Sequence, residues 1–403
     1  MKKVLVAFLL SFLAIWSGNS MESNKGSVKG SEPMTFVLGT DKNYIVPTLV
    51  TIHSLLKNGI KDEVINIVIL SEDLDKNSEQ VFVNVFKEIV KKLKKSISIS
   101  KVKLYRLSIP MSNTPNPWNA ITGKDVDDIF IFTGLNVKGK RMPKYKAMLP
   151  FYINEYRNAK IPHYMWLDSD ILINGDISDL YRKCLQSKAA IGSANYWFVS
   201  EDIPHSNKLD KSIVIRKIGI LPLKKNPNAP FLLSQYHAER TGWRCSGGVM
   251  FFNTFSFSST ELTNFLNSNK ISQLQDEEMF FDWYVLNDPH KSIYAFSPAY
   301  NCRPSMPAAA QETLKKLTEQ KEEGAEELKK ITDPKKIAIW HWDGMTKPWH
   351  VLWDGLFIKN EKYKSNVDAI RIANQQWREE YEEVYKIVKE LGYNINAYLM
   401  VSK

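Results

Sequence analysis

Two carboxylates that stand one residue apart are the strongest chemical signal in the sequence. Asp168 and Asp170 follow an apolar run at residues 163–167, which predicts a buried strand. In open α/β sheets, ligands bind outside the carboxyl ends of the strands, so both side chains are expected at a ligand-binding edge. Their mutual repulsion disfavours the pair unless a cation lies beside it, and such oxygen ligands suit Mg²⁺ or Mn²⁺. A pair of aspartates that merely caps a turn is the alternative.

A second group of chemically capable residues lies between positions 340 and 349, after a strand-like run at residues 337–340. His341 can add an imidazole ligand, which Mn²⁺ accepts more readily than Mg²⁺ does. Gly344 permits close approach of the backbone to a phosphate, and Lys347 supplies a positive charge that can neutralise it. The combination therefore favours a site for a metal-bound phosphate compound.

Alternating strands and helices are predicted to position these residues. The apolar patterns predict helices at residues 45–58, 78–95 and 143–156. They predict strands at residues 35–38, 64–70, 163–167, 190–194, 249–253, 293–296 and 337–340. This order predicts an α/β fold with a mostly parallel, Rossmann-like central sheet flanked by helices and a smaller acceptor-side region.

Two segments interrupt the alternation, and a tail follows it. Residues 107–142 are rich in Pro, Asn and Gly and predict a long loop, whereas residues 305–335 are rich in Lys, Glu and Ala and predict an inserted, solvent-exposed helix or hairpin. The catalytic domain is expected to span residues 34–354. The tail, residues 355–403, is expected to contain an amphipathic helix at 367–391.

The N-terminus and the net charge bear on compartment and partners. Lys2 and Lys3 precede an apolar run at residues 4–16, which is typical of a signal peptide over residues 1–20. A flexible leader is expected at 21–33. We therefore expect an exported or secretory-pathway protein, with an uncleaved anchor facing the cytoplasm as the alternative. The net charge of +10 fits a phosphate-bearing substrate or peripheral membrane association, and without a nucleic-acid-binding motif no nucleic acid is expected.

Six short motifs occur in a fixed order along the chain, at residues 41–44, 145–150, 167–172, 246–249, 276–278 and 341–349. Together they resemble glycosyltransferase family 8, the retaining galactosyl-, glucosyl- and glycogenin-type enzymes with the GT-A fold. The resemblance covers residues 35–349 apart from the two interruptions. Its most specific part is the last motif, with His341, Gly344 and Lys347 followed by Pro348 and Trp349.

The resemblance implies a metal-dependent transferase that moves a hexose from UDP-glucose or UDP-galactose to a glycan, glycolipid or protein acceptor. It implies Mn²⁺ (or Mg²⁺) bound by Asp168, Asp170 and His341. Asp276 and Glu277 would line the pocket of the donor sugar, where the reaction occurs. The residues implied for donor binding are Gly39, Asp41, Asn43, Tyr44, Lys146, Ser169, Gly344 and Lys347.

Three residues depart from the family pattern. Lys146 stands where an Arg is usual, so a bidentate fork is replaced by a point charge. Ser246 replaces an Asn in the sugar pocket, and Glu277 replaces a Gln beside the anomeric carbon. The last two leave the sugar preference open because the groups that contact sugar hydroxyls have changed.

Two other functions are compatible with parts of the pattern. A haloacid-dehalogenase-like phosphatase also has an Asp-x-Asp after a strand, although Leu172 stands where Thr or Val is expected and more than 160 residues precede the motif. A secreted glycan-binding protein could retain the same fold without catalysis.

Overall fold

The computed structural model describes about half of the chain. The described residues are 33–60, 65–71, 74–93, 99–106, 161–194, 197–200, 211–214, 219–220, 246–258, 281, 284–285, 288, 290–307, 310–311, 314–315, 318, 325–342, 347–349 and 367–394. The predicted loop at 107–142, the predicted helix at 143–156 and the N-terminal leader up to residue 32 lie outside them.

One mixed sheet forms the centre of the described fold. Its members, in sheet order, are β3 (Ile99–Arg106), β2 (Ile65–Ser71), β1 (Met34–Thr40), β4 (His163–Leu167), β10 (Val249–Asn253), β6 (Ile191–Ala194), β11 (Ile293–Phe296) and β9 (Gly219–Ile220). The first four strands run parallel, whereas β10 is antiparallel to both β4 and β6. The predicted α/β class with a mostly parallel sheet is confirmed.

Strands β1, β2 and β4 are largely apolar on both faces, which favours parallel strands in the middle of a sheet. All seven residues of β1 are buried, as expected for a strand with helices on both sides. Helix α1 (Ile45–Ser54) follows β1 and continues into a π-helical turn at Leu55–Gly59. Helix α2 (Lys76–Lys92) follows β2 and begins at Asp75, whose carboxylate accepts the backbone N–H of Ser78. The parallel pairing of β1 with β4 brings the carboxyl ends of these two strands together.

Two short strands form a second, two-stranded sheet next to these carboxyl ends. They are β5 (Ile171–Ile173) and β12 (Ile339–His341), which pair antiparallel with Ile171 opposite His341. Since β5 begins one residue after Asp170, this register brings His341 beside the two aspartates. The backbone N–H of Trp342 donates to the carbonyl of Asp170 at 3.0 Å and fixes the same register.

The remaining helices pack on this framework. They are α3 (Ser178–Ser187), α4 (Ala325–Thr332) and α5 (Val367–Glu390). In a separate two-stranded sheet, β7 (Trp197–Ser200) pairs antiparallel with β8 (Lys211–Val214). The amphipathic helix predicted at 367–391 is α5, and Ile370, Trp377 and Val384 on it belong to the same core as β1. No helix in the described part of the chain is long and apolar enough to cross a membrane.

A buried cluster of charges joins α5 to α1. Glu380 is 5% exposed and bonds His53 and, at 2.9 Å, the ammonium of Lys57. Burial alone would raise the pKa of Glu380, but its hydrogen bonds to His53 and Lys57 outweigh that effect and hold the pKa below its usual value. The C-terminal helix is therefore attached by a paired charge as well as by apolar packing.

One prediction about exposure was wrong. Residues 305–335 were expected to form a solvent-exposed insertion, yet Met306, Ala310, Leu328 and Ile331 are all buried in the core. The charged residues of α4 occupy only its outer face, where Lys329 and Lys330 pair with Glu326 and Glu327. Leu328 and Ile331 lie three residues apart and therefore share the inner face.

Candidate functional site

Three predicted metal ligands come together where β4, β5 and β12 meet. One ligand atom from each of Asp168, Asp170 and His341 can be chosen so that all three lie within 4.8 Å of one another. The Nε2 atom of His341 lies 3.7 Å from a carboxylate oxygen of Asp168 and 3.5 Å from one of Asp170. The side chain of Asp168 is 27% exposed and that of His341 only 8%, so the group opens to solvent on the aspartate side.

The fourth member of the group is Lys347, which is 4% exposed. Its ammonium donates to a carboxylate oxygen of Asp170 and, at 2.5 Å, to the carbonyl of Trp342. Burial alone would raise the pKa of Asp170, but the charge of Lys347 and the hydrogen bond to His341 outweigh it and hold the pKa well below its usual range. Asp170 is therefore a carboxylate at neutral pH.

Asp168 is held from two sides. The indole N–H of Trp166 donates to its carboxylate at 2.6 Å, and its backbone N–H donates to the carbonyl of Gly248 at 2.9 Å. Gly248 directly precedes β10, the antiparallel neighbour of β4. The orientation of Asp168 is thus fixed by the sheet itself and does not depend on a mobile loop.

The donor set fits a divalent metal. An octahedral ion with ligands at about 2.1 Å has neighbouring ligand atoms about 3 Å apart, which small side-chain rotations reach from the present spacing. Two carboxylates and one imidazole suit Mn²⁺ better than Mg²⁺, which prefers oxygen throughout. Of the two ring nitrogens of His341, Nε2 is the one that faces the carboxylates. The other, Nδ1, is buried and has no hydrogen-bond partner in the described part of the chain.

The residues predicted to contact a nucleoside lie beside this group, at the carboxyl end of β1. The carboxylate of Asp41 accepts the backbone N–H groups of Asn43 and Tyr44, at 2.7 and 3.0 Å, and so shapes the turn into α1. Burial raises the pKa of Tyr44, and the charges of Asp170, Asp41 and Asp168 raise it further, so the phenol stays neutral. The ring of Tyr44 meets that of Trp349 edge-on, with 5.7 Å between centroids.

Comparison with known families identifies the chain. The family model described as "Glycosyl transferase family 8" matches residues 35–352. The protein belongs to glycosyltransferase family 8. It is therefore a glycosyltransferase enzyme, and the mostly parallel sheet described above agrees with the GT-A fold of this family. No curated protein matches the chain.

Several solved structures are similar to this transferase. The galactosyltransferase LgtC, in complex with donor and acceptor sugar analogues, is 13% identical over 86% of this chain and 100% of its own, with a TM-score of 0.46. Mouse xyloside xylosyltransferase 1 is 14% identical over 78% of this chain and 98% of its own, with a TM-score of 0.42. The bifunctional glycosyltransferase WbbM is 11% identical over 90% of this chain and 53% of its own, with a TM-score of 0.44. The family assignment depends on the family model alone.

Two predicted donor-binding residues have internal hydrogen bonds. The hydroxyl of Ser169 donates to the carbonyl of Gly39, which ties the loop between the aspartates to the end of β1. The backbone carbonyls of Ser169 and Ile171 both accept from the hydroxyl of Thr51, at 3.2 and 2.8 Å. These contacts give Gly39 and Ser169 a structural role at the site's edge.

Four predicted site residues lie outside the described residues, namely Lys146, Asp276, Glu277 and Gly344. Ser246, which was expected in the sugar pocket, is among the described residues. It is 4% exposed, and its hydroxyl accepts from the side chain of Asn301 at 2.6 Å.

Two residues near His341 were not named as site residues from the sequence, namely Gly248, which lies in the motif at 246–249, and Asn301. A Cβ atom added to Gly248 would lie 2.8 Å from the amide oxygen of Asn301 and closer still to Nδ1 and Cε1 of His341. A glycine directly before a strand can indicate close approach of another group, and this was the available signal. For Asn301, the only signal was a polar residue soon after the predicted strand at 293–296.

Proposed function

We propose that this transferase is a metal-dependent, retaining enzyme that moves a hexose from a UDP-sugar, UDP-glucose or UDP-galactose, to a glycan, glycolipid or protein acceptor. One observation carries the proposal: Asp168, Asp170 and His341 lie within 4.8 Å of one another, and the buried Lys347 bonds one of the two aspartates. Family membership supports sugar transfer, and the donor set supports Mn²⁺ (or Mg²⁺).

The metal, held by Asp168, Asp170 and His341, would supply Lewis-acid stabilisation of the departing diphosphate. Lys347 adds a fixed positive charge on the same side of the site, where negative charge develops as the bond from the anomeric carbon to the diphosphate oxygen breaks. The electron pair of that bond leaves with UDP. The acceptor hydroxyl bonds to the face of the sugar that UDP leaves, and its proton passes to the departing diphosphate.

The turn after β1 would hold the nucleoside. Asp41, Asn43 and Tyr44 lie at the carboxyl end of a parallel strand, which is where α/β folds bind nucleotides. The neutral Tyr44 ring, supported edge-on by Trp349, offers a surface for the base. Gly39 and Ser169 border this turn, and Lys146 and Gly344 are proposed to contact the diphosphate.

The acceptor side and the compartment belong to the same proposal. Asp276 and Glu277 are proposed to line the sugar pocket, and the apolar run at residues 4–16 after Lys2 and Lys3 supports a signal sequence and export or entry into a secretory pathway. The basic net charge supports peripheral association with an anionic membrane. Mass spectrometry of the protein recovered from its native host tests the leader, because cleavage near residue 20 removes a defined N-terminal mass.

Release of UDP by the full-length protein tests the catalytic proposal. We expect slow hydrolysis of one UDP-hexose with Mn²⁺ and its loss in EDTA. Asp170→Asn should abolish the metal-dependent release, whereas Asp179→Asn should retain it, because Asp179 is an exposed partner of Lys183 on α3. Far-UV circular dichroism checks that both variants are folded.

Two results would overturn the proposal. One is full metal-dependent release by Asp170→Asn. The other is absence of both UDP binding and UDP release in Mn²⁺ for every UDP-hexose tested. Binding of UDP that requires Mn²⁺, followed by transfer to a supplied glycan, would support it and name the donor sugar.

A further inference from the structure

The environment of the His341 imidazole contains two buried polar atoms whose hydrogen-bonding capacity is unused within the described part of the chain. One is Nδ1 of His341, and the other is the amide oxygen of Asn301. His341 is 6% exposed and Asn301 is fully buried, so water does not reach either atom freely. A buried polar atom without a partner is costly, and a hydrogen bond between these two neighbouring groups would satisfy both atoms at once.

Both atoms lie over the same patch of backbone. A Cβ atom added to Gly248 would contact the amide oxygen of Asn301 at 2.8 Å and the Nδ1 atom of His341 more closely still. The absence of a side chain at Gly248 therefore leaves a space that both the imidazole of His341 and the amide of Asn301 border. The backbone N–H of His341 also donates to the carbonyl of Cys302 at 2.9 Å, which joins β12 to the segment that carries Asn301.

The amide of Asn301 is oriented by a serine on its other side. Its Nδ2 atom donates to the hydroxyl of Ser246 at 2.6 Å, and the backbone N–H of Ser246 donates to the hydroxyl of Ser193 at 2.9 Å. This contact uses the nitrogen end of the amide and leaves its oxygen end for His341. An oxygen can only accept a hydrogen bond, so it favours the imidazole tautomer that carries its proton on Nδ1.

We infer that Asn301 is a positioning residue that keeps the proton of His341 on Nδ1, so that the lone pair of Nε2 points to the metal between Asp168 and Asp170. A metal can bind only the bare nitrogen of an imidazole, and a hydrogen bond from the other nitrogen fixes the tautomer and the ring orientation. Ser246 acts through Asn301 by holding its amide. The inference rests on the proposed metal site.

The test reads the tautomer in the metal-free protein, so it can fail while the proposed function stands. Long-range ¹H–¹⁵N NMR spectra distinguish the Nδ1–H and Nε2–H forms of a neutral histidine. The signals of His341 are identified among the 7 histidines by their loss in His341→Gln. We expect the Nδ1–H form in the unmodified protein.

Asn301→Leu keeps a similar side-chain volume but removes the acceptor. We expect it to lose the single tautomer and to weaken Mn²⁺ binding, measured by electron paramagnetic resonance, about 10- to 100-fold. Asn301→Asp, which restores an acceptor oxygen, should retain both. The matched control is Thr254→Val, which removes another buried hydrogen-bonding group, at the far end of β10, where the hydroxyl bonds the carbonyls of Ile161 and Pro162.

The inference is overturned if the unmodified protein has the Nε2–H form, because the amide would then present its nitrogen to His341. It is also overturned if Asn301→Leu keeps the Nδ1–H form and the original Mn²⁺ affinity. If Asn301→Leu does not fold, Ser246→Ala provides the comparison. This variant removes the hydroxyl that orients the Asn301 amide, so both tautomers of His341 should appear. An unchanged single tautomer would contradict the proposed role of Ser246 and Asn301.

Discussion

Removal of the Lys347 ammonium should separate its structural effect from its effect on the reaction. In the metal-free protein, this ammonium is the positive charge that balances Asp170, and the two side chains are 5% and 13% exposed. Loss of one partner of a buried ion pair costs about 3–5 kcal/mol, because the other charge stays buried. We therefore expect Lys347→Met to lower the free energy of unfolding in EDTA by this amount.

The assay is urea unfolding followed by tryptophan fluorescence, and the control is Lys336→Met. Lys336 pairs with Asp333 across 3.8 Å at the surface, where an ion pair contributes at most about 1 kcal/mol. Mn²⁺ should stabilise the Lys347→Met variant more than the unmodified protein, because the ion replaces the missing charge. Turnover should still fall at least about 100-fold, since the charge next to the leaving diphosphate is lost.

Two outcomes would refute this reasoning. Equal stability of Lys347→Met and the unmodified protein in EDTA would mean that the ammonium does not balance Asp170. An equal gain in stability from Mn²⁺ in both proteins would mean that metal and lysine do not act on the same carboxylate.

Three further predictions concern the surroundings of the site. Gly248→Ala should weaken Mn²⁺ binding about 10-fold or more in a titration and lower the free energy of unfolding in urea by about 1–3 kcal/mol, because a Cβ atom has no space beside His341 and Asn301. An unchanged Mn²⁺ affinity would contradict the close approach of Gly248 to the His341 ring. Glu380 has a pKa that is lower in the folded protein than its ordinary value of 4.5, so its ionised form contributes stability above that pH, and this contribution is lost as the pH falls through the folded value. Glu380→Gln should therefore be less stable at pH 7 and lose less stability on acidification below pH 4.5, as followed by circular dichroism; parallel acid profiles would contradict it. Trp377→Ala should lower the free energy of unfolding by about 3–5 kcal/mol. It should also raise the KM for the donor more than Thr254→Val does, because the indole of Trp377 packs against Trp349 with ring centroids 5.4 Å apart. An unchanged KM would mean that α5 does not contribute to donor binding.

The sequence predicted the strand that ends just before Asp168 because its signal is local. Strands β4, β10 and β11 have the predicted bounds, since each is a continuous apolar run that ends at a polar residue or a turn. Strand β3 was not predicted, although its lysines at 101 and 103 alternate with apolar residues as in a strand with one polar face, because it follows a basic segment that was assigned to a helix end. Helix α3 was not predicted either, since only three of its residues are both apolar and buried.

The three candidate metal ligands could be named from the sequence, but the residues that support them could not. Asp168 and Asp170 are one residue apart in the chain, and His341 belongs to a motif with its own signal. The contact of Gly248 with the His341 ring depends on the antiparallel position of β10 next to β4 and on the separate pairing of β12 with β5. These are long-range pairings between short strands, and no periodicity in a single segment encodes them.

The C-terminal helix α5 supports the candidate site although it lies outside the residues that match the family model. The family match ends at residue 352, yet α5 supplies the acceptors for the indole N–H groups on both sides of His341. Trp340 donates to Gln376 at 2.8 Å, and Trp342 donates to Asn374 at 3.0 Å. Loss of either acceptor would leave a buried indole N–H unpaired, which costs about 1–3 kcal/mol of stability. It would also loosen the two residues next to His341, one of which, Trp342, supplies the carbonyl that accepts from Lys347. Helix α5 therefore belongs to the same folded unit as the candidate site, because its side chains bond the residues on either side of His341.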